Sequence, residues 1–466
     1  MSARAEEFDE ADFAPAPARR AGHGIERPSL SYWQDAWRRL KKNRRALASL
    51  YIVAALAAFT IAGPWVWRVD PAAQDVARAS VPPGLTETAR IVPPHEPWAG
   101  VGAAESGTAR GPVPDGLRLA EPATTQAVRL VWNAVPGAAG YNVYRAISDP
   151  GDDRAVGLPL AQIPDPARVS YEDGLDLEPR PYWYSVTAVG KDGEETRDYA
   201  VLAVTPERVV SAANAAAYGW IRDAGAVAVG NEIRLPAHPL GTDYLGRDML
   251  ARLMYGARVS LFIGVVAPLL YVFLGVVYGS LAGFLGGRVD QLLMRVADFV
   301  VALPFLLFMI LFRIGFGIGP GESGVVPMLV ALVLLGWPSA ARLVRGQILQ
   351  IRQEGYIAAS RLLGARTGYL VFRHMIPNTL GVILVTLTFA VPSVIFTEAF
   401  LSFIGMGVAP PTPSWGSMSN EGIRTMLTHP HELVLPALFI SVAVLAFNLL
   451  GDGLRDALDV RMRGRE

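Results

Sequence analysis

Six apolar runs mark the chain, at residues 46–67, 259–282, 296–315, 325–341, 377–404 and 432–450. Each is close to the roughly 20 residues that a helix needs to cross a hydrocarbon layer about 30 Å thick, so the pattern predicts six membrane spans. Between the first and second runs the period changes. "AVRLVWNAV", "GYNVYRA", "PYWYSVTAV" and "DYAVLAV" alternate apolar and polar residues, and "KDGE" at 191–194 is a hairpin turn signal, which predicts a small β-sandwich over 113–207. On either side, 68–112 is rich in Pro, Gly and Ala, and 208–237 is Ala-rich from 211 to 229; both read as linkers. Residues 1–29 lack hydrophobic periodicity and the apolar stretch of a signal peptide, so a disordered tail is expected there. The next segment, "SYWQDAWRRLKKNRRALASL", places Trp33, Trp37 and Leu40 on one helical face beside a dense basic run, the signature of an interfacial helix; with the first span it makes up 30–67. The fold class expected is mainly α, a polytopic membrane bundle of six spans with an inserted all-β sandwich domain.

Composition agrees with a membrane chain: 466 residues, 52% hydrophobic, 18% charged, mean hydropathy +0.30. A formal net charge of zero gives no global reason to expect nucleic acid as a partner. With no cysteine, disulfides, thiolate metal sites and Cys nucleophiles are excluded. Orientation then rests on where Lys and Arg fall in the short loops. Arg38, Arg39, Lys41, Lys42, Arg44 and Arg45 precede the first span, and Arg288 and Arg295 follow the second. Arg342, Arg345, Arg352, Arg361, Arg366 and Arg373 fill the connection between the fourth and fifth runs, and Arg455, Arg461, Arg463 and Arg465 end the chain. All fall on one side, predicted to be the cytoplasm, so both termini are expected inside and the β-domain outside. Arg247, Arg252 and Arg258 run against this pattern without reversing it.

The sandwich resembles a fibronectin type III domain, with Trp132 in an early strand, the Tyr141/Tyr144 pair, and Tyr182 in "LEPRPYWYSV" at the tyrosine-corner position. The connection "EGYIAASRLLGARTGYLVFRHMIPN", residues 354–378, reads as a short helix with a small-residue face, a stop at Gly364, and a second helix. It resembles the coupling-helix motif of ABC importer permeases, in which Glu-Ala-Ala is followed by a Gly and later by an apolar-x-Leu-Pro ending; Gly364, Ile376 and Pro377 fit that spacing. This resemblance implies that Glu354, Tyr356, Ala358, Ala359, Gly364, His374 and Pro377, within coupling helices at 355–376, meet an ATPase. Ala358 stands where the motif places its Glu, and His374 where it places an apolar residue. Glu354, one helical turn earlier, is the expected substitute.

Two further stretches, "HPLGTDYLGRDMLARLMYGARVSL" (238–261) and "TEAFLSFIGMGVAPPTPSWGSM" (397–418), resemble signatures of the dipeptide, oligopeptide and nickel permeases, specifically the second of their two membrane subunits. With "RVDQLLMRVADFVVALP" and "WRRLKKNRRAL", the resemblance covers about 30–67 and a permease core at 238–466. Read residue by residue, Gly241, Thr242, Asp243, Gly246, Arg247 and Asp248 either cap helix ends and pair locally or contact an external receptor, and the sequence leaves both open. Glu398, near the end of one span, and Asp298, near the end of another, are pathway or gate candidates, since an intramembrane carboxylate is costly unless it faces protein or water. Pro268, Pro304, Pro338, Pro392 and Pro436 mark every span after the first, which suits bent helices.

The chain has no GxxxxGK[ST] phosphate loop, and its Gly190-Lys191 pair sits in the predicted hairpin, so ATP hydrolysis is not expected of it. His429-Pro430-His431 lacks a third ligand at recognisable spacing, and neither a metal nor a cofactor is expected. The reading is a permease subunit of an ATP-driven importer for peptides or similar small solutes. The resemblance implies as partners a sister permease, two cytoplasmic ATP-binding subunits, an external solute-binding protein and the lipid of a bacterial inner membrane. Alternatives are a nickel-importing permease, an adhesion or scaffold protein displaying the sandwich, and a proton-driven transporter.

Overall fold

The computed structural model describes residues 32–84, 87–150, 157–316 and 323–458; the expected tail at 1–29 and Arg461, Arg463 and Arg465 lie outside them. Helices α1 (Tyr32–Lys42) and α2 (Arg44–Val66) come first. Strand β1 (Thr88–Val92) and the single turn α3 (Ala103–Ser106) follow. Strands β2 (Arg118–Leu119), β3 (Val128–Val131), β4 (Gly140–Ala146), β5 (Ala161–Ile163), β6 (Ser170–Asp173), β7 (Tyr182–Val189) and β8 (Ala200–Val204) come next. Then β9 (Val209–Ser211), α4 (Ala212–Ala217) and β10 (Glu232–Arg234) lead to α5 (Met249–Leu285), α6 (Gly287–Val301), α7 (Phe305–Gly315) and α8 (Val325–Ile351). The order ends with α9 (Gly355–Leu362), α10 (Thr367–Tyr369), a π-helical turn at Leu370–Met375, α11 (Ile376–Phe403), α12 (Trp415–Gly422) and α13 (His431–Leu458).

Two compact units divide the chain: Trp67–Leu253 with Glu421–Val434 form one, and the remainder forms the other. In the helical unit, α2, α5, α8, the stretch Thr367–Phe403 and α13 are long and apolar enough to cross a membrane. The single span expected at 296–315 is instead a broken pair, because α6 and α7 bend by 82° at the residues between them. Pro304 supplies the reason: it cannot donate the helical hydrogen bond, and it biases the residue before it away from helical dihedrals. Pro268, Pro338, Pro392 and Pro436 are carried inside their helices.

The core of this unit joins α5, α7, α8 and α11 through Ile263, Ala267, Met309, Met328, Ala331, Leu332, Val394 and Leu401. Close approach of α5 to α8 depends on Gly275, Gly279 and Gly283, a small-residue ladder at helical spacing. A Cβ on Gly275 would stand 2.5 Å from the Ala340 Cβ, and one on Gly283 would stand 3.0 Å from the Arg345 carbonyl oxygen. In α1 the buried stripe is Ala36 and Leu40, packed with Ala46 against Ala457 and Leu458 of α13. Trp37, expected on the face of Leu40, is half exposed and lies under the Lys41 ammonium at 5.1 Å.

In the other unit, the three-stranded sheet β2-β3-β6 and the four-stranded sheet β5-β4-β7-β8 enclose Val128, Leu130, Trp132, Tyr141, Val143, Tyr184 and Val186, giving the expected β-rich insertion. Tyr182 is buried and its hydroxyl accepts from the Glu178 amide at 3.0 Å, which ties the approach to β7 back onto the strand. The two linkers expected at 68–112 and 208–237 are a misreading, since β1 from the first pairs with β9 and β10 from the second in a sheet ordered β10-β1-β9. Ala89, Ile91, Val210, Ala215, Ile233 and Leu235 give this sheet its own core. Strands of three to five residues set among Pro, Gly and Ala carry too little alternation to read, and β1's partners lie beyond the whole sandwich in sequence.

Candidate functional site

The polar connection between α8 and α11 is built from the inside outward. Ile357, Leu370 and Met375 are buried with Phe284, Val344 and Ile348, so the connection is held to the ends of α5 and α8 by an apolar cluster. Glu354 is the N-cap residue of α9 in extended conformation, its carbonyl accepting from the Ile357 and Ala358 amides at 3.0 and 3.2 Å; its side chain makes no capping bond. Gly364 has φ +87°, a left-handed conformation that favours glycine, and ends the helix as the sequence predicts. Tyr356 accepts from Asn378 Nδ2 at 3.2 Å, and its ring meets His374 edge-on at 6.3 Å. Burial and then the Glu354 carboxylate push the Tyr356 phenol up from its usual range. Ala358, Ala359, Gly364 and Pro377 are exposed.

Beside them stand residues that the motif reading passed over. Leu362 and Leu363 are 91% and 88% exposed, with Phe372 and Tyr369 also open. Adjacent leucines just before the Gly364 stop were the available signal.

The segment at 241–252 behaves in the opposite way. Thr242 is fully buried, donating to the Arg78 carbonyl at 2.5 Å and accepting from the Val81 amide at 2.8 Å. Asp243 accepts from Arg247 Nε at 2.7 Å and from Arg252, and both arginines also reach Glu421 Oε2 at 2.7 Å. Two guanidiniums and two carboxylates thus close a network that is buried except at Glu421, which is partly exposed. Burial alone would lower the Arg247 guanidinium, but Asp243 and Glu421 outweigh it and raise it. Asp248 accepts the Ala251 amide at 2.7 Å, which caps α5, and also binds Trp67 Nε1 at 3.0 Å and His238 Nδ1 at 2.6 Å. Gly241 and Gly246 have φ +77° and +74°, and a Cβ on either would run into the backbone, at Val81 and Asp75 respectively. These side chains cap and pair locally: Thr242, Asp243, Arg247 and Asp248 are at most 4% exposed, while Tyr244 between them is 38% exposed. Glu421, the far anchor of the network, carried no sequence signal.

Glu398 is completely enclosed by protein; its Oε1 accepts from Ser402 Oγ at 2.9 Å, and Ser402 Oγ in turn accepts from the Val408 amide at 3.1 Å. Asp298 is half exposed and pairs with Arg342 at 2.6 Å. His429 meets Glu178 Oε1 at 3.0 Å through Nε2, and His431 meets the Thr242 carbonyl at 3.0 Å. Burial would raise the Glu178 carboxyl, but the His429 hydrogen bond and the Arg180 charge outweigh it and hold the carboxyl below its usual range. Among the described residues, no three His, Asp or Glu side chains are grouped to hold a metal ion.

Residues 275–464 match the family described as binding-protein-dependent transport system inner membrane component, and 31–83 match the N-terminal TM domain of oligopeptide transport permease C. The chain is 47% identical over 226 residues to the oligopeptide transport system permease protein OppC of Bacillus subtilis (strain 168), covering 48% of this chain and 72% of that one. It is 48% identical over 227 residues to the dipeptide transport system permease protein DppC of the same organism, covering 48% of this chain and 69% of that one. To OppC of Escherichia coli (strain K12) the identity is 42% over 226 residues, with 48% and 73% covered. The chain belongs to this family of membrane permeases and is a membrane-spanning subunit of an ABC importer. Strands β2 to β8 fall between the two matched blocks.

Proposed function

We propose that the chain forms one half of a peptide translocation pathway, paired with a sister permease, powered by two cytoplasmic ATP-binding subunits and supplied by an external solute-binding protein. The names of the relatives, for oligopeptides and dipeptides, support the substrate class. The observation that carries the coupling role is the row of open apolar side chains at Leu362, Leu363, Tyr369 and Phe372 on a connection otherwise rich in arginine, which is the surface a protein partner covers. Glu354, Tyr356, Ala358, Ala359, Gly364, His374 and Pro377 border or support that surface. Closure of the ATP-binding subunits would reach α5 and α8 through Ile357, Leu370 and Met375. Asp298 and Glu398 belong to the moving parts: Asp298 through its ion pair with Arg342, Glu398 as an enclosed group that must change neighbours if α11 shifts.

The arginine-rich connections support cytoplasmic termini and an external sandwich. Residues 113–207 hold eight Lys/Arg against fifteen Asp/Glu, a formal charge of −7, which favours a basic patch on the solute-binding protein.

Ala359→Trp tests coupling and topology together when single cysteines are added to the cysteine-free chain. The variant is expected to insert normally yet fail to copurify with the ATP-binding subunits. A cysteine at Ser148 should react with an impermeant thiol reagent from outside intact cells, whereas one at Leu363 should not. Normal copurification would remove the coupling assignment, and outside labelling at Leu363 would invert the orientation.

A further inference from the structure

Among the described residues, no element covers one face of α6, the helix that ends at the break. Val289, Leu292, Val296 and Phe299 are each between 46% and 68% exposed. At about 100° per residue they fall within one arc of about 80°. Arg288 and Arg295, both exposed, sit at the edge of that arc, within about 40° of it. The acidic residues of α6 point elsewhere: Asp290 binds Arg345 through both carboxylate oxygens at 2.5 Å, and Asp298 binds Arg342 at 2.6 Å. With its carboxylates neutralised by α8, the open side of α6 is apolar with a positive margin.

The same ion pairs fix its depth. From Val325 to Ala341, α8 carries no charged residue over about 25 Å of helix, close to a hydrocarbon thickness, and Arg342 and Arg345 mark where that apolar stretch ends. Through these arginines α6 packs at that end of α8, and the Tyr278 hydroxyl of α5 also donates to the Leu293 carbonyl at 2.8 Å. An amphipathic helix at the boundary of the apolar layer, with arginines flanking its apolar face, has the chemistry of a lipid-surface contact.

We infer that α6 is an interfacial helix that buries Val289, Leu292, Val296 and Phe299 among acyl chains and holds anionic lipid headgroups with Arg288 and Arg295. Lipid of net negative charge is the occupant because both free charges on this side are positive. The inference rests on the chain spanning a membrane and is independent of which solute is carried.

The test uses the full permease complex in phosphatidylcholine vesicles with and without phosphatidylglycerol. A nitroxide on a cysteine replacing Leu292 should be relaxed by oxygen and shielded from a water-soluble nickel complex. Arg288→Gln and Arg295→Gln should each lower the preference of the complex for retained phosphatidylglycerol by roughly fivefold. A label shielded from both relaxants would place another subunit on this face, and one open to nickel would place it in water; either overturns the inference. Unchanged phosphatidylglycerol retention in the double variant would overturn the headgroup assignment. None of these readouts requires transport or ATP hydrolysis, so they can fail while the peptide-importer reading stands.

Discussion

The connection at 354–378 and the segment at 241–252 are both motif-rich and polar in sequence, yet they put their side chains to opposite uses. The first shows leucines and aromatics to solvent above a small buried cluster. The second keeps only Tyr244 open and ties buried Asp243, Arg247 and Arg252 to partly buried Glu421 in one network. Polarity in sequence therefore does not tell a partner surface from an internal fastening. What separates them is whether each charged group finds its complement within the chain, since a buried charge without one is strongly destabilising.

Substitutions should separate the two regions cleanly. The largest effect is expected from Glu421→Leu, which leaves Arg247 and Arg252 sharing Asp243 alone; a loss of about 3–5 kcal/mol in stability should appear as a lowered thermal midpoint of the purified complex. Replacing Arg252 by Met in the same chain should restore part of that loss, because one stranded cation disappears with the carboxylate. Full stability in the single variant would show that the network is not needed to hold 421 to 241–252.

Leu362→Ser with Phe372→Ser should act the other way. Both side chains are open, so stability should change by less than about 0.5 kcal/mol per site while copurification with ATP-binding subunits falls sharply. A destabilised chain with intact copurification would reverse the contrast.

The smallest effect is a pH dependence at Glu178. Its carboxyl is held below the usual range when folded, so its contribution is present above about 4.5, the unperturbed value, and is lost as pH falls through the folded value. Proteolysis of the insertion should therefore accelerate as pH is lowered below about 4.5, and Glu178→Gln should flatten that part of the profile. An unchanged profile in the variant would assign the acid sensitivity to other groups.

Long apolar runs made the helical bundle legible, because about 20 apolar residues in succession have few other uses. The strands β3, β4, β7 and β8 were legible from alternation for a similar reason. The sheet of β1, β9 and β10 was not, since its pairing is nonlocal and its strands are short. At the candidate site, Gly364 was readable because a left-handed stop has a residue signature. Glu421 was not, because nothing local distinguishes a carboxylate that will meet Arg247 and Arg252 from one left in water. The break at Pro304 lay between these cases: the proline was visible, but the 82° angle was not, since prolines at 268, 338, 392 and 436 are carried inside their helices.

The glycine ladder of α5 bears on how such a machine can move. With Gly275, Gly279 and Gly283 against α8, the two backbones are meshed like gear teeth, and sliding one along the other would drive Ala340 and Ile348 out of their notches. These helices are best treated as a single lever. The breaks at Gly286 and at Ala302–Pro304 are then places where a stroke delivered to that lever would be turned into a change of angle.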